Sequence, residues 1–256
     1  MEPEVYGCEV DGSERLAAHK TVLQRKALIR DVFVEFHKVL MFLDRTHFSG
    51  TGQVIELGAG VYPVKESAPS VIATDVVSAP HLDFPLDACD LDLPDSSVRA
   101  FYLQNVFHHL PFPSRFFSEL ERTLVPGGGA IIIEPADGAL ASFLYPRLFA
   151  SEGYDKAALS WEAEIGGPMS GANQALSYVI FDRDADRFTG EHPRLEIVHR
   201  DVLGNWVRYL MSGGLNFRPL LPAWSAGLLR GLEWLLKPAR RWVGLHKVVV
   251  IRKRES

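Results

Sequence analysis

Apolar residues at Leu28, Val32, Phe36, Val39, Leu40 and Leu43 recur at spacings of three and four, with Arg25, Lys26, Arg30, Glu35 and Lys38 between them. That period predicts an amphipathic helix over residues 14–45. Ser49-Gly50-Thr51-Gly52 ends it, and the period then changes. Short apolar runs follow at 54–57, 71–74, 100–103 and 130–133, with a weaker one at 82–86. Separated by longer stretches, such runs predict the strands of a parallel sheet buried on both faces. Phe116, Phe117, Leu120 and Leu124 return to the helical period over 112–124, which Pro126-Gly127 closes. After Glu134 the pattern loosens until about residue 192. Alternation at 195–198 and a β-branched run at 247–251 predict two more strands, with a mostly helical 203–244 between them, interrupted by Gly213-Gly214 and several prolines.

These elements fit one domain in four parts: an N-terminal helical segment (14–48), a core (53–134), an inserted cap (135–192) and C-terminal strands and helices (193–256). The 256 residues suffice for a sizeable core, and 47% hydrophobic with 23% charged residues is the composition of a globular chain rather than a disordered one. A net charge of −5, with no basic tract before Arg252-Lys253-Arg254, argues against nucleic acid as a partner. Two cysteines, Cys8 and Cys89, make neither a disulfide framework nor a metal-ligand spacing. The acidic start lacks a signal-peptide pattern and no run is apolar enough to span a bilayer, so the expected location is cytoplasmic.

The chemistry concentrates at the strand ends. Glu56-Leu57-Gly58-Ala59-Gly60 leaves the first strand through a glycine turn, where a backbone without a Cβ can approach a ligand and a following helix N-terminus would add free N–H donors. Asp75 ends the second strand, where a carboxylate can accept from two ribose hydroxyls. A nicotinamide site would usually carry a third glycine where Pro63 stands, and an acid at Glu56 would repel a pyrophosphate. The charge logic instead suits a cationic sulfonium cofactor.

Five stretches, VIELGAG (54–60), ATD (73–75), CDLDLPDSSV (89–98), LQNVFHHL (103–110) and LERTLVPGGGAIIIEP (120–135), resemble the class I S-adenosylmethionine-dependent methyltransferases of the small-molecule "type 11" branch. The resemblance implies a Rossmann-like α/β sheet, mostly parallel with an antiparallel last strand, and S-adenosyl-L-methionine as cofactor. It implies that Gly58, Ala59 and Gly60 contact the methionine moiety and that Glu56 helps anchor its amine through water or loop amides. Asp75 would hold the ribose, and Asp90 and Leu91 would lie beside adenine, with Asp87-Ala88 as a competing register. Gln104 and Asn105 would sit under the methionine part, with His108 and His109 nearby. The stretches 172–184 and 209–222 also resemble a subset of these enzymes with a long region after the fifth strand.

For each further candidate a structural role stands beside the chemical one. His108 or His109 would serve as general base on an acceptor, or as packing and capping groups. Being adjacent, on a helix they would diverge and share no metal ion. Glu134 would touch substrate, or make a salt bridge or helix cap. Tyr154, Asp155, Trp161, Glu162, Asn173, Gln174 and Tyr178 of the insert would line an acceptor pocket, with Asn173, Gln174 and Tyr178 preferred, or act as surface and core residues. Leu228, Leu229, Leu232, Leu235 and Leu236 alternate with Arg230, Lys237, Arg240 and Arg241 over 224–242. Such a helix would pack on the sheet, cover the pocket or lie on a membrane surface. The expected activity is methyl transfer to a small molecule by direct displacement; a non-catalytic scaffold or sensor and a nicotinamide-dependent reductase are the alternatives.

Overall fold

A computed structural model describes residues 1–8, 13–149, 152–163 and 172–255; parts of the expected cap, 150–151 and 164–171, lie outside the described residues. Seven strands form one sheet: β1 (Gln53–Leu57), β2 (Ile72–Asp75), β3 (Phe84–Pro85), β4 (Val98–Gln104), β5 (Leu124–Pro135), β6 (Leu195–Val202) and β7 (His246–Lys253). Their order is β3-β2-β1-β4-β5-β7-β6, and β7 runs antiparallel to both β5 and β6. All seven expected strands are present, including the antiparallel last one.

Alternation along the central strands makes two apolar faces, as expected of a sheet covered on both sides. Ile55, Leu57, Phe101, Leu103, Ala130, Ile132, Val249 and Ile251 point to one face. There they meet Phe116, Phe117 and Leu120 of α3 (Pro113–Thr123), together with Leu176, Val179, Ile180, Phe181 and Phe188. Ala100, Tyr102, Ile131, Ile133, Val248 and Val250 point to the other face. That face is covered by Ile29, Val32, Phe33, Phe36, Leu40 and Leu43 of α2 (Ala27–His47). The 3.6-residue period therefore did locate a core helix.

Two expectations are corrected. The N-terminal helix is two helices, α1 (Ser13–Arg25) and α2, divided at Lys26, whose backbone is extended. The cause is tertiary. Buried Lys26 donates through Nζ to the carbonyls of Gly214 (2.8 Å) and Phe217 and pairs with Glu2 at 2.9 Å, which a continuous helix would not permit. Secondly, the helix expected to follow the glycine turn does not form. Between β1 and β2 there is only a single 3-10 turn (Val64–Glu66), and α3 is the one α-helix linking any two of the first five strands among the described residues. The N-terminal α2 supplies the cover that those crossovers leave out.

After β5 come α4 (Ala139–Leu148), a short α5 (Leu176–Tyr178) continuing into a π-helical turn (Val179–Arg183), and α6 (Ala185–Glu191). Between β6 and β7 lie α7 (Trp206–Ser212), α8 (Ala226–Leu235) and α9 (Arg240–Val243). Arg208 of α7, almost wholly buried, binds Glu35 and Asp31 of α2 and Glu233 of α8, tying three helices together.

Candidate active site

The carboxyl ends of β1, β2, β4 and β5 gather the residues expected to act. After β1 the chain turns at Gly58 and Gly60, both with positive φ (+66° and +54°). At Gly58 glycine is required twice over, since an added Cβ would also fall 2.4 and 2.7 Å from the γ carbons of Val106. Around Gly60 the space is open: a Cβ there would meet only the Gly58 carbonyl, at 3.9 Å. The turn is fixed to β2, because Ala59 N–H donates to Thr74 O (2.9 Å) and Gly60 N–H donates to Asp75 Oδ2 (3.1 Å).

Glu56, expected to work through water or loop amides, does reach a loop amide. Its side chain is buried, and Oε2 accepts the Val64 N–H at 2.6 Å. The first donor of the 3-10 turn is thus consumed by Glu56, and no long helix N-terminus is aimed at the turn. Desolvation pushes the Glu56 carboxyl up to about 8, with the nearby Asp75 charge adding to it and the Val64 hydrogen bond opposing it. Glu56 therefore closes the 57–64 loop from inside as a neutral acid at pH 7. Tyr62, just before Pro63 at the third-glycine position, stacks on His37 of α2 with centroids 5.2 Å apart.

Asp75 spans the turn: Oδ2 accepts from Gly60 and Oδ1 from Val77 N–H (3.2 Å). His81, which the sequence reading did not single out, donates through Nε2 to the Gly60 carbonyl at 2.7 Å. Its segment lacks periodicity, so no pattern marked it. Asp87 and Asp90 share one exposed turn after β3, in which Asp90 N–H donates to Asp87 O (3.2 Å). Asp87 is the first acid after the strand and accepts Cys89 N–H (2.8 Å), so both registers converge on one place. Leu91 is buried beside them, its N–H on Glu119 (3.0 Å).

At the end of β4, Gln104 carries a buried Oε1 with no hydrogen-bond partner among the described residues. A buried acceptor left unpaired costs about 1–3 kcal/mol unless something donates to it, and here it lies at the ligand edge of the sheet. Asn105 follows with φ +54°, its N–H on Ile133 O.

Glu134 organises the next turn. Its carboxylate is fully buried and accepts the N–H groups of Val106 (2.9 Å) and Phe107 (2.8 Å) on Oε1. Its Oε2 accepts His108 Nδ1–H at 2.5 Å. The salt-bridge role named as the alternative is the one the geometry brings together. His108 Nε2 in turn lies 3.6 Å from Glu152 Oε2, to which Gln174 Nε2 donates. Burial lowers the His108 pKa, but Glu134 and Glu152 outweigh it and push the group up to about 9. His108 is thus a cation at neutral pH, with no lone pair for a general base. His109 is neutral, held below its ordinary value by burial and by the His108 charge, and its Nδ1 has no partner among the described residues.

The expected divergence of the two histidines is corrected as well. They occupy a 3-10 turn (Phe107–His109), and their ring centroids are 4.1 Å apart. Donor atoms of His108, His109 and Glu152 lie within 4.8 Å of one another, but His108, protonated between Glu134 and Glu152, has no lone pair to offer a metal ion.

The insert reaches this turn. Asn173 N–H donates to His108 O (3.1 Å), carrying Gln174 and half-buried Tyr178 over the strand ends. Asn173 itself is occupied with its own chain: Oδ1 accepts from Asp155 (2.8 Å) and Ala175 (3.0 Å), and Nδ2 donates to Asp155 O (2.8 Å). Tyr178 carries the Lys156 ammonium 4.3 Å from its ring centre. Trp161 is core, with Nε1 donating to Asp184, while Glu162 accepts from Ser114 at the start of α3. Tyr154 stacks on Tyr145 of α4, within the insert.

Residues 50–132 match the family model described as a methyltransferase domain. No curated protein matches the chain. Among solved structures, geranyl diphosphate C-methyltransferase from Streptomyces coelicolor A3(2), in complex with Mg2+, geranyl diphosphate and S-adenosyl-L-homocysteine, is similar at TM-score 0.51 and 15% identity. That match covers 99% of this chain and 88% of the other. A phosphoethanolamine N-methyltransferase 2 from Haemonchus contortus, in complex with phosphomonomethylethanolamine and S-adenosylhomocysteine, is similar at 0.50 and 12% identity, over 98% of this chain and 60% of its own. The chain therefore has the fold of the class I S-adenosylmethionine-dependent methyltransferases, with a methyltransferase domain over residues 50–132.

Proposed function

We propose that the protein transfers a methyl group from S-adenosylmethionine to a small molecule held beneath the stretch that carries Gln174 and Tyr178. The observation that carries this reading is the convergence, at one sheet edge, of an open glycine turn, the Asp75 carboxylate and the unpaired Gln104 Oε1. Those groups fit the cofactor: the Gly58–Gly60 backbone for the amino-acid part, Gln104 Oε1 for its ammonium, Asp75 for the ribose hydroxyls, and Asp87 or Asp90 for the adenine amine. When bound, the cofactor would supply an electrophilic methyl on a cationic sulfur, with S-adenosylhomocysteine as the leaving group.

The protein's share is alignment and dryness, which can account for much of the acceleration of a displacement. Glu134 holds the 106–108 turn against β5, so the wall beside the methyl position does not shift. The His108 cation, fixed between two carboxylates, sets the orientation of that turn. Neutral His109 is the group able to accept a hydrogen bond from an acceptor hydroxyl or amine, and Gln174 Oε1, also unpaired, can accept a second. The structural relatives methylate small molecules, which favours an acceptor of that size here.

Isothermal titration with S-adenosylmethionine, S-adenosylhomocysteine and NADH tests this reading, with Asp75→Ala as control. Binding of both adenosyl ligands, lost in the variant while its unfolding midpoint holds, is the expected result. Absence of binding by either adenosyl ligand, or binding of NADH alone, would overturn it.

A further inference from the structure

Helix α8 is amphipathic in an unusual sense: its apolar face looks outward. Leu229 and Glu233 are buried, one in a small cluster with Leu28 and Val207, the other on Arg208. Trp224, Leu228, Leu232 and Leu235 follow one another at spacings of four, four and three, and so share one stripe of the helix and its leading turn. All four are exposed, Trp224 by 83% and Leu228 by 75%. Trp234 (77%) and Trp242 (65%) extend the apolar surface. Three of the five tryptophans of the chain thus stand in solvent within 19 residues. Contiguous apolar surface of this kind marks a binding face.

The face is presented rigidly. Glu233 accepts from Arg208 through both its main-chain N–H and Nε, and Arg230 pairs with Asp31, so α8 is clamped on its inner side. Packing on the body of the protein explains Leu229 and leaves the outer stripe unexplained.

The surroundings identify the partner. Residues 218–242 hold five basic side chains and one acidic one, Glu233, in a chain of net charge −5. Arg218, Lys237 and Arg241 are exposed and have no carboxylate partner among the described residues. Trp234 and Leu235 border a hollow with Lys237, Pro238, Arg240 and Arg241, so indole, aliphatic and cationic groups adjoin. Indole rings beside lysine and arginine are what the headgroup boundary of an anionic bilayer accepts: the rings enter the acyl margin and the cations stay with phosphate. No helix among the described residues is long and apolar enough to cross a membrane, so contact would be peripheral.

We propose that the 224–242 segment seats the protein on an anionic phospholipid surface.

The test is co-sedimentation of the whole protein with vesicles of phosphatidylcholine alone and of phosphatidylcholine enriched in phosphatidylglycerol, across a salt series. Quenching of tryptophan fluorescence by brominated lipid is recorded on the same samples. The expected result is binding to the anionic vesicles that weakens with salt, quenching on binding, and a loss of roughly tenfold or more in both W234S/W242S and K237E/R241E. Those side chains are exposed, so circular dichroism and the unfolding midpoint of the variants should match the parent. Absence of binding to anionic vesicles would overturn the proposal, as would equal binding to neutral ones. Self-association in sedimentation velocity that W234S/W242S abolishes, without vesicle binding, would assign the face to a second copy of this chain instead.

Discussion

Replacing Gly58 by alanine tests how the turn after β1 is locked to the turn after β4. Two penalties add. A non-glycine residue at φ +66° costs about 1–2 kcal/mol of backbone strain. The new methyl would also stand 2.4 and 2.7 Å from the two γ carbons of Val106, an overlap of the kind that costs about 1–3 kcal/mol in packed interiors. Val106 cannot simply retreat, because its N–H is bound to buried Glu134. Gly58→Ala should therefore lower stability by about 2–5 kcal/mol. Val106→Ala removes both γ carbons and should alone cost about 1–2 kcal/mol. In the double variant the two γ-carbon overlaps are gone and a 3.1 Å approach to the residue-106 Cβ remains, so the double loss should fall short of the sum of the single losses by about 1–3 kcal/mol. Urea unfolding of the four proteins gives these numbers. S-adenosylhomocysteine titration of the same set should show affinity at least about tenfold weaker in Gly58→Ala and partly recovered in the double variant. Additive losses, or a Gly58→Ala protein within about 0.5 kcal/mol of the parent, would refute the lock between the two turns.

Further outcomes follow from the buried charges. Glu134→Gln keeps an oxygen for Val106 and Phe107 but withdraws the charge from His108, and should cost about 2–4 kcal/mol at pH 7. His108 favours folding below its ordinary value of 6.5 and loses that contribution as pH rises through about 9; imidazole NMR should find this titration moved toward neutrality in the variant. Glu56, with its carboxyl raised to about 8, acts as a buried acid that the unfolded chain ionises near 4.5. Stability should therefore fall as pH rises from about 4.5 to 8, and Glu56→Gln, read by urea unfolding across that range, should flatten the profile by an amount on the order of a few kcal/mol. Arg208→Met leaves buried Glu233 without its partner and should destabilise by about 3–5 kcal/mol in thermal unfolding, with α8 loosened first in hydrogen exchange.

The strands were legible because each carries a short apolar or alternating run whose period does not depend on its neighbours. The same holds for α2 and α3, whose stripes face the sheet. The break at Lys26 was not legible, since it arises from carbonyls of Gly214 and Phe217, nearly two hundred residues away. The missing helix after Asp75 was legible, since the stretch to Asp90 is too short for one; the missing helix between β1 and β2 was not, because the 61–71 stretch has length enough and forms only a 3-10 turn. In the site, Gly58, Asp75 and Gln104 stand at the expected strand ends. Glu56 lay in a recognisable motif, yet its inward turn onto Val64 depends on the single 3-10 turn that follows. α-Helical geometry would splay His108 and His109, whereas the tighter 3-10 turn brings their rings together. For α8 the sequence marked the amphipathic pattern and could not say which side faces the protein; that is decided by Glu233 reaching Arg208.

The most direct measurement is a crystal structure of the protein grown with S-adenosylhomocysteine. The expected density has the ribose hydroxyls on the Asp75 carboxylate, the homocysteine part over Gly58–Gly60 with its ammonium on Gln104, and the sulfur facing the His108–His109 turn. A ligand bound elsewhere, or lying at this edge without contact to Asp75 and Gln104, would contradict the assignment.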